Sequence, residues 1–140
     1  MSYRYKVIVQ KWFSGVFTAG NHQAVDEVCD VDMIVYSQGH DEGFKGSGKF
    51  KSWLDWYCTS FVDREWFVHD IIEQGDKVVA RYSGYSTYKG GLLDIPGEDQ
   101  RIKETGILIL RIEDDKIKEL WCEMSDLQVI QQLGHLTGYK

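Results

Sequence analysis

The segment from Trp121 to Gln128 carries the residues best suited to chemistry in this chain. Trp121 and Glu123 alternate along the last predicted strand, so their side chains lie on one face of it. If that face lines a cavity, Glu123 is a carboxylate in an aromatic environment and a candidate for proton transfer, because burial raises a carboxyl pKa toward neutrality. If Trp121 packs outward, Glu123 is a solvated strand residue. The pattern leaves both alternatives open.

Ser125 and Asp126 follow at the start of the last predicted helix. Together with Gln128 they match a capping box, in which the Ser125 oxygen accepts from an early helix N–H and the Gln128 side chain reaches back. Asp126 is then the first helical residue, where the helix dipole lowers a carboxyl pKa and favours a stabilising surface role. A helix start shifted by one residue makes Asp126 a substitute acid or base.

Three phenols and one histidine are further candidates. Tyr36, Tyr82 and Tyr88 lie in predicted strands and can donate hydrogen bonds to a carbonyl oxygen that becomes negatively charged. Tyrosines in strands are also favoured by packing alone. His69 lies in the first long strand, where it is either a hydrogen-bonded core residue or a proton shuttle.

Composition limits the classes of function. The 140 residues fit a single domain, residues 1–140. A net charge of −6 with 16 scattered Lys and Arg argues against a nucleic-acid partner. No apolar run approaches the roughly 20 residues that span a bilayer, and no basic-then-apolar leader is present, so we expect a cytoplasmic protein without a membrane partner. Three cysteines without close pairing and no metal-ligand spacing predict neither a disulfide nor a metal site.

Hydrophobic periodicity predicts the elements that position these residues. Apolar spacings of three and four predict a helix over residues 2–18, with Trp12 on its apolar stripe, and further helices over 24–28 and 50–61. The predicted strands cover residues 31–36, 65–74, 77–88, 101–112 and 116–124. The last four are joined by turns, which predicts an antiparallel sheet and an α+β fold with helices on one face. A curved sheet of this kind encloses a hollow, which the sequence leaves either open or filled.

Two further features have open assignments. Arg81 lies on the opposite strand face from Tyr82 and is expected to pair with Glu104 or Glu119. The loop over residues 89–100 contains three apolar side chains, which suit either a lid or a dimer contact.

Four segments, over residues 41–44, 73–81, 115–121 and 131–134, resemble segments of the SnoaL-like polyketide and ester cyclases in order and spacing. The resemblance extends from Trp12 to Gly134. It implies a cone-shaped α+β fold like that of nuclear transport factor two, with a curved antiparallel sheet wrapped around the N-terminal helices. It also implies a hydrophobic pocket, a homodimer through the outer sheet face, and intramolecular aldol chemistry in which an aspartate moves the proton without a cofactor.

The chain departs from the family pattern at functional positions. Ser125 stands where the resemblance places the catalytic aspartate, and Tyr36 and Tyr88 stand where relatives place histidines. We therefore predict a protein that binds a small, apolar, oxygen-bearing molecule, with acid/base activity of cyclase, isomerase or dehydratase type. The predicted catalytic residues are Glu123, Asp126, Tyr88 and Tyr36. The predicted ligand-binding residues are Trp12, Tyr82, Trp121, Ser125 and His69. The alternative is a non-catalytic ligand-binding or dimerisation module.

Overall fold

The chain folds into the predicted order of helices and strands, with one short additional strand, in a computed structural model, which describes residues 2–37 and 42–134. The helices are α1 (Tyr3–Lys11), a π-helix (Trp12–Thr18), α2 (His22–Val28), α3 (Ser47–Ser60) and α4 (Asp126–Gln132). The strands are β1 (Cys29–Tyr36), β2 (Phe44–Lys45), β3 (Phe61–Gln74), β4 (Lys77–Tyr88), β5 (Arg101–Glu113) and β6 (Lys116–Met124). Asp41, which begins one of the four family-like segments, lies outside the described residues.

The six strands within these residues form one curved, unclosed sheet in the order β2-β1-β6-β5-β4-β3. Consecutive strands from β3 to β6 pair antiparallel, as predicted. Strand β1 pairs parallel with β6 and brings Tyr36 opposite Trp121. The predicted α+β cone is confirmed, whereas the parallel pairing of β1 was not predicted. None of the helices in residues 2–37 and 42–134 is long and apolar enough to cross a membrane.

The core lies between the concave face of the sheet and the helices. The even-numbered residues of β4 and β5 face this core, and Val78, Ala80, Leu108 and Leu110 are fully buried there. The predicted first helix is continuous, but it changes to π geometry at Trp12, where the chain turns its aromatic side chains into the core. The apolar side chains of the helices and those of the concave sheet face thus pack together in one layer.

Two glycines on the concave face make room for aromatic rings from the neighbouring strand. Gly84 is opposite Trp66, and Gly106 is opposite Tyr82. A Cβ atom would lie 2.7 Å from the Trp66 ring at Gly84, and 2.4 Å from the Tyr82 hydroxyl oxygen at Gly106. Each ring therefore lies across the next strand because that strand has no side chain at this point.

Arg64 joins three elements at one end of the cone. Its guanidinium group donates to the carbonyl oxygens of Phe17 at 2.7 Å, Thr18 at 2.8 Å, Phe61 at 2.7 Å and Cys58 at 3.3 Å. These carbonyls belong to the ends of the π-helix and α3 and to the start of β3. A planar cation with several N–H donors suits this set of acceptors at helix C-terminal ends.

We expect Arg64→Lys to lower the free energy of unfolding by about 2 kcal/mol, because a single ammonium cannot reach all four carbonyls. Urea unfolding measures the change. The control is Arg81→Lys, since Arg81 forms an exposed ion pair with Asp70 at 2.6 Å, and its loss should be about 0.5 kcal/mol or less. Equal losses in the two variants would contradict the bracing role of Arg64.

Candidate functional site

The concave face of the sheet is only partly filled. It leaves a larger lobe of about 530 Å³ and a smaller lobe of about 280 Å³. The two lobes share four wall residues, which are Phe17, Trp53, Met124 and Asp126. Of the two alternatives that the sequence left, an open hollow is the one observed. Its size is in the range of small-molecule binding pockets.

A row of stacked aromatic rings along α3 forms one wall of the cavity. Phe50 stacks on Trp53 at 5.6 Å, Trp53 on Tyr57 at 5.2 Å, and Tyr57 on Phe61 at 5.4 Å between ring centroids. Spacings of three and four place Phe50, Trp53 and Tyr57 on one side of α3, and Phe61 continues the row at the start of β3. Phe50 faces the larger lobe, Tyr57 and Phe61 face the smaller one, and Trp53 faces both. The wall offers aromatic surface to a ligand over the length of the cavity.

Glu104 is the more buried of the two carboxyl groups that line the smaller lobe, and it was not among the site residues predicted from the sequence. The Tyr57 hydroxyl donates to Glu104 Oε1 at 2.9 Å. Burial raises the pKa of Glu104 to about 7, against the opposing effect of the Tyr57 hydrogen bond and with a smaller contribution from the Asp126 charge. Glu104 therefore exchanges a proton readily near neutral pH.

Asp126 lines both lobes from the first position of α4. Burial raises its pKa above the ordinary value. The predicted lowering by the helix dipole is wrong, because α4 has only seven residues and the loss of water around the carboxyl group has the larger effect. Asp126 is nevertheless more open to solvent than Glu104.

Ser125 connects the two carboxyl-bearing elements instead of capping α4. Its Oγ accepts from the Thr105 N–H at 2.9 Å, and its own N–H donates to the Thr105 carbonyl at 3.0 Å. The predicted capping box is wrong, since the Ser125 side chain makes no bond to an α4 N–H. Ser125 precedes Asp126 and Thr105 follows Glu104, so this pair of hydrogen bonds fixes the two carboxyl groups relative to each other.

Glu123 and Trp121 lie on the convex face, away from the cavity. Glu123 is exposed opposite Ile107 on β5, and Trp121 stacks on Tyr36 with ring centroids 5.3 Å apart. The outward alternative for Trp121 is the one observed. The cavity wall is formed instead by the residues of opposite parity on β6, Leu120, Cys122 and Met124.

The Tyr36 and His69 side chains also point away from the cavity. The Tyr36 hydroxyl donates to Glu119 Oε2 at 3.2 Å, and Glu119 forms an ion pair with Arg111 at 2.5 Å. His69 Nε2 lies 2.7 Å from Ser83 Oγ. On this convex face Phe67, Ile72 and Ile107 are exposed. The expectation of a homodimer through this face stays a prediction.

Tyr88, Tyr82 and Trp12 are buried in the structure rather than exposed to a ligand. The Tyr88 hydroxyl donates to the Ile95 carbonyl at 2.7 Å and accepts from the Leu92 N–H at 2.8 Å, so it anchors the loop over residues 89–100. The Tyr82 ring packs over Gly106. Trp12 is fully buried and stacks on Phe50 at 5.3 Å between centroids.

A signal for Glu104 was present in the strand parity. Glu104 shares its parity on β5 with the buried residues Ile102, Leu108 and Leu110. A lone carboxylate at an inward position of an apolar strand is the kind of group whose pKa is strongly raised. Glu104 was predicted, as an alternative to Glu119, to pair with Arg81, which pairs instead with Asp70 on the convex face.

Glu104 and Asp126 form a carboxyl pair with unequal environments, which suits general acid/base chemistry. The more buried group holds its proton to higher pH, and the more open one supplies the base. Within residues 2–37 and 42–134, no three His, Cys, Asp or Glu side chains are grouped closely enough to hold a metal ion.

Burial of Glu104 makes stability depend on pH. With a folded pKa of about 7 against an ordinary value of 4.5, the folded protein keeps a proton that the unfolded chain releases, so stability falls as pH rises through this window. Glu104→Gln keeps an acceptor for Tyr57 and removes the titration. Relative to wild type, we expect the free energy of unfolding of this variant to increase by about 2–3 kcal/mol between about pH 5 and pH 8.

Denaturant unfolding at several pH values measures this gain, with Glu123→Gln as the exposed control. Parallel pH dependences of wild type and Glu104→Gln would show that Glu104 titrates like a solvated carboxyl group.

The fold and the sequence both have known relatives. TsrD from Streptomyces laurentii superposes with a TM-score of 0.85 at 21% identity, covering 97% of this chain and 99% of that one. A candidate polyketide cyclase from Acidithiobacillus ferrooxidans superposes with a TM-score of 0.84 at 22% identity, covering 96% of this chain and 98% of that one. IdmH from Streptomyces antibioticus superposes with a TM-score of 0.81 at 19% identity, covering 95% of this chain and 99% of that one. No curated protein sequence matches significantly. The SnoaL-like polyketide cyclase profile matches residues 7–133, and the chain therefore belongs to the SnoaL-like polyketide cyclase family.

Proposed function

We propose that this protein catalyses cofactor-free proton transfer next to a carbonyl group of a small, mostly apolar molecule, in a cyclase, isomerase or dehydratase reaction. The observation that carries the proposal is the buried Glu104 carboxyl group, hydrogen-bonded to Tyr57 in the same aromatic lobe that Asp126 lines. A carboxyl group in an apolar pocket lowers stability when, like Glu104 among the described residues, it has no positively charged partner. A catalytic role explains its presence there.

Each residue has a distinct role in the proposed step. The Asp126 carboxylate removes a proton from the carbon next to the carbonyl, breaking the C–H bond and forming its own O–H bond. Glu104, in its protonated form, gives its proton to the carbonyl oxygen, so the substrate becomes a neutral enol. In a cyclase the enol carbon then attacks a second carbonyl carbon of the same molecule, which forms the C–C bond and breaks the C=O π bond of that carbonyl. Asp126 gives the proton it removed to the new alkoxide oxygen, and Glu104 takes back the enol O–H proton, so the first carbonyl re-forms and both carboxyl groups return to their starting states. Tyr57 holds the Glu104 carboxyl group in place.

Family membership supports this class of reaction, while the position of the carboxylate differs from the sequence expectation. The resemblance placed the catalytic aspartate at residue 125, where this chain has serine. Asp126, one residue further on, lines both lobes. Its neighbour Ser125 supplies the contact to β5 that holds it there.

We expect Asp126→Asn to slow the proton transfer by about 100-fold or more, because an amide cannot act as the base. The reaction is followed by NMR as hydrogen–deuterium exchange at the acidic CH₂ of 2-tetralone, an apolar enolisable ketone, in D₂O. Glu123→Gln is the matched control, since Glu123 is a carboxylate three residues away on the convex face, and it should retain the wild-type rate.

An undiminished rate in Asp126→Asn would exclude the proposed base. If the wild type binds the ketone without exchanging its protons, the protein is instead a non-catalytic ligand-binding module.

The exchange rate should fall as pH rises through about 7, because the active form of Glu104 is the protonated one and its pKa is about 7. Tyr57→Phe should move this fall to higher pH, since the Tyr57 hydrogen bond lowers the Glu104 pKa. Glu104→Gln should lower the exchange rate at every pH, and the rate should no longer fall as pH rises through about 7. A pH profile that is the same in all three proteins would exclude Glu104 as the acid.

A further inference from the structure

We infer that the larger lobe takes an anionic group of the substrate, such as a carboxylate, and that Lys49 binds it. The inference depends on the proposed function only for where the reacting carbon of the substrate lies. The binding of the anion itself rests on the contacts of Lys49 alone. The substrate class is therefore an apolar carbonyl compound with one acidic end.

Lys49 lies in the first turn of α3 and lines the larger lobe. It is the single Lys or Arg among the described residues that form this wall. Its Nζ lies 5.8 Å from the centroid of the Phe44 ring, which also lines the lobe. A cation over an aromatic face is held near that face, so the positive charge stays at the wall of the lobe.

The charge of Lys49 has no carboxylate partner among residues 2–37 and 42–134. Lys51, two residues further along α3, forms an ion pair with Asp26 at 2.6 Å, and Lys118 forms one with Asp30 at 2.6 Å. In a chain with a net charge of −6, a cavity lysine without such a partner is available to an anionic ligand. Lys49 itself is exposed at the wall of the lobe, so its attraction for an anion is modest and weakens with added salt.

Lys49 and Asp126 act at separate points of the same lobe. Both line it, yet the pKa of Asp126 is raised by burial alone, without a resolved effect of the Lys49 charge. Lys49 is therefore not the counter-ion of the proposed base. A ligand with its anion at Lys49 has its apolar part along the aromatic wall of α3 and reaches Asp126 and the smaller lobe past Trp53.

The two-point arrangement also fixes the direction in which a substrate binds. An acidic end near the Asp126 carboxylate meets a like charge, whereas the same end near Lys49 meets an opposite one. The carbonyl end is left for the smaller lobe, where Glu104 lies.

The test uses two probes of equal shape, 1-naphthaleneacetate and the neutral 1-naphthaleneacetamide, whose binding is measured by calorimetry. The wild type should bind the acetate more tightly than the amide. Lys49→Met should weaken acetate binding about three- to tenfold and leave amide binding unchanged, while Lys49→Arg should restore the preference. Lys45→Met is the matched control, because Lys45 lies on β2 without lining the lobe, and it should behave as wild type.

Equal affinities of the wild type for the two probes, an equal loss of both in Lys49→Met, or no binding of either would overturn the inference. Deuterium exchange in 2-tetralone separates this result from the proposed function. A preference for the acetate without exchange rejects the catalysis and leaves the anion site, whereas exchange without the preference rejects the anion site alone.

Discussion

The two hydrogen bonds between Ser125 and Thr105 are the contact on which the candidate site depends. They join the end of β6 to β5 at the point where the chain leaves the sheet and starts α4. Glu104 and Asp126 are the chain neighbours of these two residues. A strand end without this contact is free to fray, and the separation of the two carboxyl groups would vary with it. The Ser125 side chain supplies one of these two hydrogen bonds, and serine at position 125 thus helps to set the separation of the two carboxyl groups.

The fold was predictable because its signals are local. Apolar periods of 3.6 and 2 identified the helices and the four long strands to within a few residues. The parallel pairing of β1 with β6 was not predictable in this way, since it joins segments that are far apart in the sequence and leaves no local pattern. The predicted helix over residues 2–18 was also a local success, although the sequence did not indicate its change to π geometry at Trp12.

The site was less predictable, because each of its residues depends on a fact of tertiary structure. Strand parity placed Trp121 and Glu123 on one face, but it did not say which face of the sheet meets the helices. Ser125 matches a capping pattern, but its side chain bonds to Thr105 of the neighbouring strand β5 rather than to α4. For Asp126 the helix dipole predicted a lowered pKa, which is wrong, because the burial that raises its pKa comes from residues distant in the chain. Parity did place Glu104 with buried residues, and this pattern was overlooked.

The glycines that face Trp66 and Tyr82 have a consequence for how this cavity can evolve. Each ring and the glycine opposite it occupy one shared volume, so a side chain gained on one strand requires a smaller one on the other. Substitutions at 66 and 84, or at 82 and 106, are therefore expected to show strong epistasis, with single changes disfavoured and compensated pairs tolerated. Cavity shape in this chain would then change by correlated steps between adjacent strands rather than by gradual enlargement at one position.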